Sequence, residues 1–391
     1  VRIALITIAE NHGGGGAEAL VAGRSIARHQ LDFALAQRCE KILCLGHGAA
    51  PEAIALRHAA ERAAAQFQVV RGVRDLPAAV RGDDELLVLA QGLLPESPLA
   101  FDLLKDGEGL LVLPAEAGWS AGFERLDLTA SWGGAMVLPG RYADRLDQLP
   151  EDAEPVAGLL RIARQARAPE RSLPEAELSE RRWQIVRTPD AARALEPGWL
   201  RRRLPACSPF RPTAWLAGVI LRRFGGPLLG IRNTGGASLA AASVSLVGAA
   251  VAGWFGLPVL GFVLLAAAAL LIEASDGLRQ LGRSIFVART EPSRLLPALR
   301  AMWDLALVAV GALAIEGSRA HRAFAPLVTA GLLRIAPPWP VAGWRVLAGD
   351  RGLLALLLAV ASGLGLAEAG FMLLSLALIV LRLRPGEDRR G

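Results

Sequence analysis

Residues 237–272 contain no aspartate, glutamate, lysine or arginine. That run of 36 mostly apolar positions constrains the chain more than any other feature. As one helix it would be roughly 54 Å long at the α-helical rise, far more than a hydrocarbon core of about 30 Å. Two membrane helices of about 17–20 residues fit the same run, and "FGLP" at 255–258 supplies the turn between them.

Further apolar segments at 302–316, 323–335, 352–366 and 369–382 bring the expected number of spans to six. The segment 323–335 is the weakest, being short and carrying Arg334. Arginines punctuate these spans unevenly. Arg222, Arg223 and Arg232 precede the first, and Arg279, Arg283, Arg289, Arg294 and Arg300 lie between the second and third. Arg345 and Arg351 separate the fourth and fifth, and Arg382, Arg384, Arg389 and Arg390 follow the sixth. Only Arg319 and Arg322 stand on the other side. Basic residues are retained on the cytoplasmic side. The expectation is a multi-pass protein of the inner (cytoplasmic) membrane, with both its N-terminal domain and its C-terminus in the cytoplasm.

Charge divides the chain at the same place. Residues 1–204 carry a net −3 and residues 205–391 a net +9, which together make the overall +6. The basic half is the apolar half, so its arginines are expected to meet lipid head groups rather than nucleic acid. Residues 201–236 include "RRFGG" and "TAWLAG" and suit an interfacial amphipathic linker. The three cysteines, Cys39, Cys44 and Cys207, fit neither a zinc spacing nor a disulfide framework. A reducing compartment suits them.

The first 200 residues alternate strand and helix patterns. "VRIALITIA", "KILCLG", "FQVVR", "ELLVLAQG", "GLLVLP" and "GGAMVLPG" have strand character, and "SIARHQLDFALAQR" and "PEAIALRHAAERAAAQ" have helical periodicity. This alternation predicts an α/β, Rossmann-like domain with a mostly parallel sheet. The chain's first residues form a strand-like run without a basic n-region or cleavage site, so they are read as the first strand and not as a signal peptide.

Three stretches of this domain, in order, resemble the sugar-phosphate nucleotidyltransferases. They are the glycine-rich loop and helix start in "ENHGGGGAEALVAGRSIARHQLDFAL", the strand "DDELLVLAQGLLP", and "RRWQIVRTPDAARAL". The resemblance implies a phosphate-binding role for Gly13, Gly14 and Gly15. It also implies metal-binding aspartates at two positions where this chain has Gln91 and Arg187. The expectation is a domain that keeps the fold and a nucleotide or sugar-phosphate site but has lost nucleotidyl transfer. "RTPDAA" is equally a plain helix start, with Thr188 as N-cap and Pro189 at the first helical position.

The stretch "EASDGLRQLGRSIFVARTEP" at 273–292 resembles half of the signature of the CDP-alcohol phosphotransferases, D-x-x-D-G-x-x-A-R followed by G-x-x-x-D-x-x-x-D. Members of that family are six-span enzymes, and some are fused to a nucleotidyltransferase domain as in bifunctional inositol-1-phosphate cytidylyltransferases. The resemblance implies Glu273, Asp276 and Asp304 as ligands of Mg²⁺ or Mn²⁺, and Asp276 and Asp304 as catalytic residues. It implies Gly277, Arg279 and Arg283 as residues against a CDP-alcohol, and a homodimer formed through the spans. Part of the signature is missing. Gln280 and Leu281 replace Ala-Arg, and Asp304 is the only acid of the third span apart from Glu316 at its end.

Two functions follow from this. One is a divergent CDP-alcohol phosphotransferase releasing CMP in polar-lipid or inositol-phosphate metabolism. The other is a non-catalytic descendant that binds a nucleotide or lipid head group, its arginines gripping phosphate directly. The plain alternative for Glu273 and Asp276 is a pair of interfacial acids near Arg279, and for Asp304 an ion pair with Arg300 four residues earlier.

Overall fold

The computed structural model describes residues 1–8, 19–105, 107–204, 208–230, 234–282, 295–335, 346–347 and 349–383. The chain divides into two compact units, with the boundary at Trp199 and Leu200.

The first unit runs β1 (Arg2–Thr7), a short hairpin β2 (Leu20–Val21) and β3 (Arg24–Ser25), α1 (Ile26–Ala36), β4 (Lys41–Leu45) and α2 (Pro51–Arg62). It continues with β5 (Gln66–Val70), α3 (Asp75–Ala79), β6 (Glu85–Leu89), β7 (Leu93–Pro95), α4 (Pro98–Leu103), β8 (Gly109–Pro114) and α5 (Ala115–Ser120). Then come β9 (Ala130–Pro139), α6 (Arg141–Asp144), α7 (Pro155–Gln165), β10 (Glu170–Ser172), α8 (Ala176–Ser179), β11 (Trp183–Ile185) and the start of α9 (Pro189–Arg203).

Seven of these strands form one sheet in the order β10-β8-β9-β6-β1-β4-β5. All neighbours are parallel except at β9, which runs antiparallel to both β6 and β8. The sheet is therefore mixed, and the expected α/β class holds. The central strands read as unbroken apolar runs because helices cover both of their faces. Side chains alternate between those faces: Ala4 and Ile6 enter one core with Leu31 and Phe33, and Ile3 and Leu5 enter the other with Leu159 and Tyr142. Successive parallel strands β1, β4 and β5 build to one side, and β6 then lies on the other side of β1. That reversal is a topological switch point. In open α/β sheets ligands bind outside the carboxyl ends of the strands at such a point.

The second unit contains α10 (Pro212–Gly230), α11 (Thr234–Trp254), α12 (Pro258–Gly282), α13 (Leu295–Ala314), α14 (Arg319–Arg334), α15 (Arg351–Gly363) and α16 (Ala367–Leu383). Among the described residues, three segments are long and apolar enough to cross a membrane: Gly236–Trp254, Pro258–Leu281 and Leu295–Ala314. The other three expected spans fall on α14, α15 and α16, of 16, 13 and 17 residues, which is shorter than the roughly 20 residues of an ordinary span.

Polar contacts fix the direction of each helix. Ser238 meets Ser275, so α11 and α12 are antiparallel. Trp303 donates its indole N–H to the Leu265 carbonyl, joining α13 to α12. Arg322 caps the Ala312 carbonyl and Arg334 the Ala301 carbonyl, which pins α14 antiparallel to α13 at both ends. His321 meets Glu368 and Thr329 meets Ser375, so α16 runs parallel to α14. The apolar core between them is centred on Phe262, Trp303 and Phe371, all fully buried.

Candidate functional site: an arginine-lined pocket in the helical unit

Helix α12 does not end at its first acid. It continues to Gly282, so Glu273, Asp276 and Arg279 share one helical stripe at a spacing of three. Across from that stripe Arg300, on α13, places one guanidinium nitrogen 3.5 Å from Glu273 and 4.0 Å from Asp276. Two carboxylates thus share a single half-exposed cation, neither at a short charge-assisted distance. Gln280 reaches Asp276 at 3.5 Å.

Asp304 goes elsewhere. It is 3% exposed, and both of its oxygens are taken by arginines from other helices. Arg334 Nε lies 2.9 Å from Oδ2 and Arg351 Nε 3.1 Å from Oδ1. The guanidinium of Arg351 also sits over the Trp303 ring, 5.7 Å from its centroid. This acid therefore ties α13 to the end of α14 and the start of α15. The partner is not Arg300, its neighbour on the same helix.

The resemblance asks whether these acids suit Mg²⁺, which takes six oxygens in a near-octahedral shell. Asp304 has no free oxygen face, and among the described residues no three His, Cys, Asp or Glu side chains gather where a metal could be held. The donor set fits a magnesium cage poorly, and no step proposed below runs through a metal.

What the structure does assemble is a pocket. It is lined by Arg211, Thr213, Glu273, Arg300, Asp350 and Arg351 together with Ala269, Ile272 and Gly352, and its cavity measures only about 40 Å³. Asp350 is spent on structure. It accepts from Thr213 N and Thr213 Oγ1 at the start of α10 and from Leu353 N at the start of α15, so one carboxylate caps two helices. A side chain at Gly352 would run into Thr213 Oγ1, and the glycine is what lets the two helix starts meet. Arg211 is the reverse case: an exposed guanidinium with no hydrogen bond or ion pair among the described residues. Sequence reasoning passed over Arg211 and Asp350, and read Arg334 only as a mark of a span end. The only signal they carried was their position at helix ends.

Gly277 has a packing reason to be glycine. A Cβ there would lie 2.4 Å from Leu221 of α10. Arg279, on the same stripe, has a buried guanidinium nitrogen with no hydrogen-bond partner. Arg283 and the loop glycines Gly13, Gly14 and Gly15 lie outside the described residues.

In the first unit the two positions where aspartates were expected come together. Val186 donates its N–H to the Gly92 carbonyl, and a Cβ at Gly92 would touch the Val186 carbonyl and the Arg187 side chain. Gln91 and Arg187 thus flank one contact although they are far apart in sequence. Thr188 caps α9, accepting from Ala191 N. At the switch point, Thr7 Oγ1 and Gln30 Oε1 are buried without a hydrogen-bond partner.

Burial pushes the thiols of Cys39 and Cys44 up to about 12, so neither is a nucleophile. His29 is pulled below its ordinary value, first by burial and against the pull of nearby Glu96. It is a neutral core residue bonded to the Val21 carbonyl.

The chain matches no protein-family model and no curated protein sequence.

Proposed function

We propose that the protein is a membrane-embedded, phosphate-binding protein that resembles a nucleotidyltransferase domain fused to a CDP-alcohol phosphotransferase bundle and does not transfer a phospho-alcohol. The observation that carries this is the fate of Asp304. An acid that would have to join Glu273 and Asp276 around a metal is instead enclosed by Arg334 and Arg351. The same rearrangement leaves Arg351, Arg300 and Arg211, which has no side-chain partner among the described residues, around a small cavity of about 40 Å³. Guanidinium groups bind phosphate oxygens in pairs and need no metal to do so.

In this reading α11 to α16 are six spans and the first unit faces the cytoplasm of the inner membrane, as the arginine distribution requires. Helices α15 and α16 cross with the bilayer thinned around them or with flanking residues in the interface. The placement of Gln91 and Arg187 beside the Gly92–Val186 contact supports a nucleotidyltransferase-like ancestry for the first unit, with a glutamine and an arginine in place of metal-binding acids.

The test is CMP release. Detergent-purified protein with Mg²⁺ or Mn²⁺ and labelled CDP-alcohols is expected to release no CMP above background. It is expected to bind a phosphomonoester in titration calorimetry, with Arg211→Gln weakening that binding about tenfold. CMP release that disappears in Asp276→Asn would establish the transferase instead.

A further inference from the structure

Three turns close one end of the helical bundle, and they are of two kinds. The turns at 254–257 and 363–366 carry no charge. Trp254 is 78% exposed, Phe255 74% and Leu364 70%, and Leu257 and Leu366 are exposed beside them. The turn at 315–318 contains Glu316 and leads into Arg319, His321 and Arg322. All three stand at one level. A Cβ at Gly253 would lie 3.4 Å from Leu313, just before the charged turn. A Cβ at Gly363 would lie 3.8 Å from Val259, just after the first apolar turn. His321 meets Glu368, just after the second apolar turn.

The charged side chains at this end are tied down. Arg322 Nε donates to the Ala312 carbonyl at 2.7 Å, and His321 Nε2 lies 3.2 Å from Glu368. Neither extends along the helix axis toward water, as a snorkelling side chain does. At the other end of α14, Arg334 is held by Asp304 and by the Ala301 carbonyl. The stretch of α14 between these two anchored arginines, 323–333, is uncharged and spans about 18 Å at the helical rise. Helix α15 from Arg351 to Gly363 covers the same length, and α12 from Pro258 to Glu273 about 22 Å. An ordinary hydrocarbon core is about 30 Å thick.

A full-thickness core would therefore swallow the charged turn, where Glu316, Arg319 and Arg322 are costly. Lifting that end clear into water would instead expose the neighbouring apolar turns, and such patches mark a contact surface. Both kinds of turn are satisfied only where the hydrocarbon thins to meet them, with Trp254 at the interface that suits an indole. Resting on the membrane-embedded reading above, we infer that the helical unit is built for a thin bilayer. Its lipid-facing belt matches a hydrocarbon core of about 20 Å. The two apolar turns rest in the boundary of that core, and the charged turn meets water beside them. Lipids with short acyl chains are the surroundings it fits.

The test reconstitutes the full chain in vesicles of dimyristoleoyl-, dioleoyl- or dierucoyl-phosphatidylcholine, which differ only in chain length, and follows thermal unfolding. The midpoint is expected to be highest in the shortest lipid, by about 5 °C over dioleoyl, as a mismatch of several ångströms implies. It is expected to be lowest in dierucoyl lipid. A second readout places a fluorophore at Phe255→Cys, Leu364→Cys or Glu316→Cys in a Cys207→Ser background. Spin-labelled lipid is expected to quench the first two, and a water-soluble quencher the third. Equal midpoints in the three lipids overturn the inference, as does a midpoint highest in dioleoyl or dierucoyl lipid. So do labels at 255 and 364 that only the water-soluble quencher reaches, or a label at 316 that only the lipid quenches. Wild-type protein that does not float with the vesicles sinks the membrane-embedded reading itself, which keeps the two failures distinct.

Discussion

Asp304 is the residue on which the sequence and the structure part most clearly. A lone acid inside an apolar span signals an interior partner or a cavity, and that much was legible. Its partners were not, because Arg334 and Arg351 lie 30 and 47 positions further on and meet it only after α14 has turned back along α13. Removing one member of a buried ion cluster leaves the others uncompensated, at a cost of about 3–5 kcal/mol. Asp304→Ala is therefore expected to lower the unfolding midpoint of the helical unit sharply in a detergent thermal melt. Arg334→Gln should cost much less, since Arg334 is half exposed and solvent screens it. If Asp304 were instead a catalytic acid without a structural part, its removal would leave the melt in place. Gly352 gives a second test at this scale. Gly352→Ala drives a methyl into Thr213 Oγ1 and should destabilise by about 1–3 kcal/mol, as overpacking does. Much of that loss should return in the double variant with Thr213→Ala, because neighbours in contact are not additive. Independent losses that simply add would show that the two helix starts do not depend on one another.

At the scale of elements, α12 was legible as a membrane helix but not in its full length. The first charge after an apolar run reads as the end of a span, which puts that end at Glu273. A helix has no reason to stop there when Ala274, Leu278 and Gln280 are good helix formers, and the observed helix runs to Gly282. The same extension explains Gly277 by packing. Leu221 of α10 fills the space where its Cβ would be. Gly277→Ala is expected to weaken the α10–α12 contact and lower stability, and Leu221→Ala in the same chain should restore part of it. A glycine kept only for a ligand would show no such rescue. In the first unit the strands were legible from their apolar runs, β9 among them as "GGAMVLPG", but the direction of β9 was not. Its antiparallel insertion between β6 and β8 depends on pairings set by tertiary structure and leaves no mark in local periodicity. His29, on α1, makes this unit sensitive to acid. Its folded pKa lies below that of the unfolded chain, so the unfolded state binds the proton first as pH falls. Its contribution to stability is complete above the unfolded value of about 6.5 and is lost as pH drops below it. Glu196 has the opposite sign, because burial raises its pKa, and its contribution grows as pH falls. The difference between wild type and His29→Asn in urea unfolding at pH 8 and pH 5.5 isolates the histidine. Wild type should lose more stability than the variant over that interval, and equal losses would remove His29 as the cause.

For the whole molecule, the question is how many of the six helices from α11 to α16 cross the bilayer. By composition and length, three of the described helices are long and apolar enough to do so. An odd number would put the C-terminus on the side opposite the first unit. The packing of the helical unit argues against that outcome. Arg334 returns to the Ala301 carbonyl near the start of α13, so α14 travels back as far as α13 travels out. Arg351, at the start of α15, meets Asp304 at that same level. Helix α16 then runs parallel to α14, from His321–Glu368 at one end to Thr329–Ser375 deeper in. Among the described residues α14 thus runs back along α13 and α16 runs parallel to α14, and in the six-span reading proposed above this puts the end of α16 on the side where α11 began. In the six-span reading the shortness of α15 and α16 would be taken up as hydrophobic mismatch, which costs fractions of a kcal/mol per ångström. Reporter fusions in a bacterial inner membrane test this directly. Alkaline phosphatase needs disulfides that form only outside the cytoplasm. Inserted at Gly256, Gly317 or Gly365, the three turns with left-handed glycines, it is expected to be active. Fused after Gly391 it should be inactive, whereas a green fluorescent protein at the same place should fluoresce. An active phosphatase after Gly391 would mean an odd number of crossings, and the antiparallel return of α14 or α16 would then have to occur within one leaflet.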